Sequence, residues 1–512
     1  MKKLLLVLVV ALLATALVPA SAAKLDWTVE IKATPEMYPG VDMSKNVTLY
    51  MVIVGDKPEE YDMVKAALDE YIAPFNVTLD ITFLSWSDHP TMYPLLLTGG
   101  DQIDICYVAS GWCHLWTEAA KGNFYVLTEE FIEEYMPLHA QYQDPASWEE
   151  AKYQGEIVAC LQNYCPTNSS LVAIREDLRV AYDLPVPVDY QTYKEYLLGV
   201  AAHTAETGLI ALNCDKSEGV WSQYTRGNRM NLLPVATDWR YTYADGALPT
   251  VDQITYVYQL PAYRDYLDEA KELCDAGVWS RSALNKTETL AQSFGNGTSA
   301  AMQWNFTIYQ YMELAEQNGD VETMGYDLWP DGPHATETYN NSGLAIYAGT
   351  KYPYHAAMMI DVIKWDTYIC NLLSLGIEGH HYTNNGDGTY SPIEENTKKF
   401  GPDSISLAWV ARKTLGEVYT DARERDMIAD CDSRTISNVT AGFIFDTAPV
   451  AAYKAAVDAA RDEYRYTLGL GFFDDAEVAY GDFMDALNAA GIEALNTELA
   501  NQYTAWYELM VG

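Results

Sequence analysis

Basic residues are scarce in this chain: 32 Lys and Arg stand against 72 Asp and Glu in 512 residues, for a formal charge of −40. A field of that sign repels polynucleotides and anionic lipid surfaces, which excludes nucleic acid as a partner. Long apolar runs are missing too. The longest, Leu4 to Leu17, is too short for a comfortable membrane span, and no later run reaches the ~18 residues that a transmembrane helix needs. HExxH and CxxC do not occur, and no Cys/His cluster has zinc spacing, so neither a metal nor a cofactor is expected. Internal repeats and low-complexity linkers are also absent. Cysteine is present but modest: of eight, Cys106 with Cys113 and Cys160 with Cys165 are near neighbours in sequence. That number suits disulfides in an oxidising compartment, although geometry decides any pairing.

What is there begins with a targeting pattern. Lys2 and Lys3 precede the apolar run, and Pro19-Ala20-Ser21-Ala22-Ala23 follows it as a small-residue cleavage site, so residues 1–23 are expected to be a signal peptide. A lipid-anchored protein would carry a cysteine at the processing site, whereas the first cysteine here is Cys106. The expectation is an exported protein, extracellular or periplasmic, without a lipid anchor. The length exceeds what one core usually serves, which points to two or more lobes.

From Val47 the chain alternates strand and helix. Val47 to Val54 is a continuous apolar run, and Val64, Ala67, Leu68 and Tyr71 then fall at helical spacing. Val77 to Leu84 alternates as a strand, Pro90 to Thr98 reads as a helix, and Ile103 to Ala109 is a short buried strand running into Ser110-Gly111-Trp112. This is βαβαβ, which predicts a mainly parallel sheet covered on both faces. Later the stretch to about Asn341 is dense in Tyr and Trp and reads as a second lobe; in it Thr298 to Trp304 is another apolar strand, followed by Asn305 and a helix from Ile308. Gly343 to Tyr347 is a short strand, Pro353 to Leu375 a long helix, and the tail from Pro449 is helical.

These features together resemble the extracellular solute-binding proteins of family 1, the maltose-binding-like class that serves ABC importers, and in particular the large lipoprotein-type branch of Firmicutes. The resemblance is carried by Ser85-Trp86, Asp104-Ile105-Cys106 with Trp112, Gly155-Glu156-Ile157, Ala300-Ala301-Met302, Gly376 to Gly379 with Tyr382, and the C-terminal Gly442-Phe443-x-Phe445-Asp446 with Ala489-Ala490-Gly491-Ile492. It implies an α/β fold of two lobes in the class II binding-protein manner, each a mainly parallel sheet flanked by helices, with a helical C-terminal tail. Lobe I is then expected over 24–160 with about 347–380, and lobe II over 170–342 with about 440–512. The crossovers are expected near 159–171, near 343–347 and between 379 and 439. It further implies a non-catalytic receptor that takes a carbohydrate, expected to be an oligosaccharide with a peptide as the alternative ligand, in an interlobe cleft closed by hinge motion. Its partners would be the importer's permease subunits, and the protein itself a monomer.

A neutral sugar offers apolar CH faces and a ring of hydroxyls, so its site needs flat aromatic platforms and planar polar groups. The candidates are Trp86, Asp88, Trp112, Tyr164, Trp221, Trp304, Asn305, Asn340 and Asn341. Strand-end position singles out Trp112 and Trp304, and truncating either is expected to weaken binding while leaving the ligand-free protein stable. No catalytic residue is expected; the alternatives are a secreted glycoside hydrolase, for which no motif fixes the needed carboxylate pair, or a surface sensory or adhesion module using the same cleft. His380-His381 invites a metal reading, but adjacent residues of an extended segment point to opposite faces, so a structural loop is expected.

Overall fold

The structure, a computed structural model, describes residues 29–99, 102–236, 238–242, 246–402, 404–418 and 421–511. The expected signal peptide lies outside these residues. The chain divides into two compact units, each built from separate stretches: unit 1 ends its first stretch at Asn163 and resumes over Ser342–Glu417, and unit 2 comprises Tyr164–Asn341 and the chain from Val418 onward.

Unit 1 is organised on a five-stranded sheet in the order Val77–Leu84, Val47–Val54, Ile105–Val108, Gly343–Ile346, Cys160–Leu161. The first three strands are parallel, with Val47 opposite Val77 and Met51 opposite Ile105. Their apolar side chains are buried because helices cover the sheet, Tyr61–Ile72 contributing Val64, Leu68 and Ile72 and Pro353–Trp365 being buried along its length from His355. The α/β class is as expected, and four of the five strands run in one direction, with Gly343–Ile346 against them. Gly343 pairs with Val108 and with Leu161, so the returning strand enters at the carboxyl end of the parallel set and can only run antiparallel to it.

The expected single helix from Pro353 to Leu375 is two helices, Pro353–Trp365 and Thr367–Leu375. Asp366 divides them. Its backbone is extended, one carboxylate oxygen accepts from the amides of Tyr368 and Ile369, and the other accepts from the Ala33 amide at 2.8 Å and the Tyr71 hydroxyl at 3.1 Å. A buried N-cap satisfied on both oxygens outweighs the continuity of the apolar pattern.

Unit 2 departs from a mainly parallel sheet. Its strand Leu171–Arg175 lies between Ala301–Trp304 and Thr323–Asp327 and is antiparallel to both. The tyrosine-rich composition is its core: Tyr193, Tyr196, Tyr263 and Tyr266 are buried, and several hydroxyls reach carbonyls, Tyr196 that of Ala300 and Tyr266 that of Gly469. Helices Ala451–Gly469, Ala476–Ala490 and Ile492–Val511 close this core with Val457, Phe483, Leu487, Leu495 and Tyr503. Cys106, Cys113, Cys160, Cys214, Cys274, Cys370 and Cys431 are buried free thiols. Burial pushes the thiols of Cys113, Cys160 and Cys370 up to about 12, so they pack as apolar groups. Among the described residues, no helix is long and apolar enough to cross a membrane.

Candidate functional site

At the carboxyl ends of the parallel strands of unit 1, three indoles meet. Trp86 follows strand Val77–Leu84 and is 47% exposed; its loop is drawn in by the Gly55 amide, which donates to the Leu84 carbonyl at 2.8 Å. Trp112 stands at the tip of a three-residue loop after strand Ile105–Val108, closed by paired backbone bonds between Ala109 and Cys113. Helix Leu115–Ala120 starts only after it, so Trp112 is a loop residue and not the first core residue of a helix. Trp409 comes from the short helix Leu407–Val410.

The ring centroids lie 5.5 Å apart for Trp86 and Trp112, 5.9 Å for Trp86 and Trp409, and 6.0 Å for Trp112 and Trp409. Tyr107 underlies them, 5.4 Å from Trp112 and 6.3 Å from Trp409. Its ring is fixed at both ends: the hydroxyl donates to Ser342 Oγ at 2.7 Å, and the backbone carbonyl accepts from the Tyr93 hydroxyl at 2.8 Å. The outcome is a half-exposed aromatic face on a rigid support, where an open α/β sheet presents its loops. Asp88 lies beside it, accepting from Ser85 Oγ at 2.7 Å, and His89 stands edge-to-face with both Trp86 and Trp112. Trp409 was not among the residues singled out from sequence.

Within unit 2, the sheet end at which Leu171 begins carries Trp304, 62% exposed and directly opposite Leu171. Ser170 Oγ lies 3.2 Å from Ser222 Oγ and accepts from the Gln223 amide at 3.4 Å. Asn305 uses its side-chain oxygen on Thr307, accepting from the amide at 2.9 Å and the hydroxyl at 2.6 Å, and so shapes the turn into helix Ile308–Asn318. Trp221 is half-buried against Tyr224, Tyr263 and Tyr266 and packs on the unit 2 core. Asn340 is buried and accepts from Thr338 Oγ at 2.7 Å, and Asn341 donates to Glu337 at 2.7 Å, so the loop binds itself. Tyr164 is half-buried where unit 2 begins.

Among the described residues, two clusters bring metal-ligand side chains together, and both are already satisfied as protein contacts. In the first, Glu60 faces both His380 and His381, which lie in a turn and not an extended segment and so converge instead of pointing to opposite faces. The Ile377 amide donates to His381 Nδ1 at 2.8 Å, which leaves the proton on Nε2, and Nε2 donates to Glu60 at 3.1 Å. His380 Nε2 reaches the same oxygen at 2.7 Å and Lys399 the other at 3.1 Å. In the second, Asp327, His334 and Cys431 adjoin Arg226 and Arg434, whose guanidiniums both bind Asp327 and repel a cation.

Bonds from His380, then Lys399 and His381, hold the Glu60 carboxyl at about 2, below its ordinary 4.5. A depressed carboxyl stabilises the fold above its unfolded value and loses that contribution as pH falls through the window from about 4.5 to about 2. Thermal unfolding followed by circular dichroism is therefore expected to fall more steeply across that window for the natural chain than for Glu60→Gln. Equal slopes would remove Glu60 from the acid response.

The helical tail, residues 439–508, matches a family model described as a domain of unknown function, DUF3502. No curated protein is similar enough in sequence to match. Solved structures are similar in fold. The N-glycan transport solute-binding protein NgtS of Streptococcus pneumoniae, in complex with Man1GlcNAc, superposes with a TM-score of 0.67 at 14% identity, over 90% of this chain and 99% of that one. The alginate-binding protein AlgQ2 gives 0.65 at 15% identity, over 90% and 98%. The S. pneumoniae ABC-transporter substrate-binding protein FusA, in complex with kestose, gives 0.62 at 12% identity, over 90% and 100%. The chain has the fold of these two-lobe solute-binding proteins.

Proposed function

We propose, from a chain with the fold of solute-binding proteins, that this is the extracytoplasmic receptor of an ABC importer and that it binds a neutral oligosaccharide without chemical turnover. The observation that carries the reading is the face made by Trp86, Trp112 and Trp409. Three indoles held 5.5 to 6.0 Å apart offer a broad apolar platform of the kind that pyranose CH faces stack upon. Asp88 at its edge can accept from sugar hydroxyls, and exposed Trp304 with Ser170 and Ser222 offers a second aromatic and polar surface on unit 2. The similar structures include proteins described with Man1GlcNAc and with kestose, which supports a saccharide ligand. The net charge of −40 disfavours polyuronates relative to uncharged glycans. Export and delivery to permease subunits belong to the same reading.

Isothermal titration against neutral oligosaccharides, an oligouronate and peptides tests it. Saturable binding is expected for a neutral oligosaccharide only, with Trp409→Ala lowering affinity about 30-fold, the scale of a buried aromatic contact. Absence of saccharide binding by the folded protein rejects the reading, and hydrolysis of any bound saccharide would reassign the chain as a glycosidase.

A further inference from the structure

His89 occupies an unusual position between the two tryptophan loops. It is 7% exposed, with ring Nδ1 3.1 Å from the Trp86 carbonyl oxygen and Nε2 3.3 Å from the Trp112 carbonyl oxygen. Both partners are carbonyls, which only accept. A neutral imidazole carries one N–H, so it can bond one loop and must turn a lone pair toward the other; an imidazolium carries two and bonds both. The ring centroid also lies 5.9 Å from that of Trp86 and 5.8 Å from that of Trp112, near-perpendicular to each.

We propose that His89 is a positioning residue: protonated, it ties the Trp86 and Trp112 loops together and sets the aromatic face, and on losing a proton it releases one loop. This rests on the reading of that face as the saccharide site, but the latch itself is a property of the ligand-free protein.

The surrounding charges act in both directions. Burial, its place as first residue of helix His89–Gly99, and the imidazole of His114 oppose the second proton. The two carbonyls and the neighbouring Asp88 favour it. Tyr93 on the same helix, Cys113 on the Trp112 loop, and Glu118 and Lys121 on helix Leu115–Ala120 and its C-cap complete the titratable surroundings.

Near-ultraviolet circular dichroism of the full ligand-free chain reads the latch directly, because indoles this close couple optically. Titrated between about pH 5.5 and 8, the range of imidazole chemistry, the natural protein is expected to show one step in the tryptophan bands. His89→Gln, whose amide can donate to one carbonyl but not reach both, is expected to lose the step, and His114→Gln to keep it. Nitrogen-15 spectra of the histidine rings give a second measurement without mutation: both His89 nitrogens protonated at the acid end, one at the other. No step, a step surviving in His89→Gln, or a single protonated nitrogen throughout overturns the proposal. Where a neutral oligosaccharide binds, its affinity is expected to rise about fivefold from the alkaline to the acid end, the worth of one added hydrogen bond. If no saccharide binds while the optical step is present, the functional reading fails and the latch stands.

Discussion

Truncating Trp112 to alanine is expected to lower saccharide affinity by about 30- to 100-fold and also to destabilise the ligand-free protein by about 2 kcal/mol. The binding loss follows from its central place, in contact with Trp86, Trp409 and Tyr107. The stability loss follows from the same contacts: Trp112 is half-buried and supports its neighbours as well as facing solvent. Here the structure changes an expectation, since strand-end position alone suggested that truncation would leave the ligand-free protein untouched. Trp304 is the contrasting case. At 62% exposure it has little packing to lose, so Trp304→Ala is expected to keep the unfolding temperature within about 1 °C. Calorimetric titration paired with thermal unfolding of the ligand-free variants checks both. A Trp112→Ala protein of unchanged stability would show that the indole cluster is not a packed unit.

Replacing Asp361 by asparagine is expected to destabilise the protein by about 3 to 5 kcal/mol, the scale for breaking a buried charged network. Asp361 accepts from the Tyr38 hydroxyl at 2.9 Å, the Leu138 amide at 3.0 Å, the His139 amide at 2.7 Å and His139 Nδ1 at 2.5 Å, all within the buried heart of unit 1. Burial, then the charge of Lys364, holds His139 at about 4, so near neutral pH its ring is uncharged and Nδ1 carries the proton it donates. An asparagine keeps the shape but offers an NH2 group where donors converge, leaving at least one buried backbone amide, that of Leu138 or His139, without its acceptor. Lys364 is buried alongside, and desolvation brings it down to about 8. Denaturant unfolding of Asp361→Asn measures the loss; a change under about 1 kcal/mol would mean that the donors find other acceptors.

How much of this was readable in advance varies with how local the cause is. Strand Val47–Val54 announces itself because burial on both faces demands continuous apolar residues, and Val77–Leu84 because burial of one face at the sheet edge demands alternation. Trp112 and Trp304 could be singled out because each comes at the end of an apolar strand pattern. Trp409 could not: it sits in a four-residue helix about 300 residues downstream, within the apolar run Ile405 to Ala411, and nothing local says which sheet it will meet. Strand direction is similarly non-local. Gly343–Ile346 has the composition of a buried strand whichever way it runs, and only its point of re-entry makes it antiparallel. The break at Asp366 had a local signal, an aspartate followed by threonine inside an apolar helix pattern, which the length of that pattern concealed.

The interleaving of the two units also bears on how the chain is made. Strand Gly343–Ile346 lies between Ile105–Val108 and Cys160–Leu161, so the sheet of unit 1 keeps a gap beside its third strand until the ribosome has passed residue 346. Until then the nascent chain has two unpaired strand edges and no means of closing them locally, and early folding of its amino-terminal part is discouraged. Fragments that stop short of Gly343 inherit those open edges, which makes them aggregation-prone products of truncation rather than independent domains.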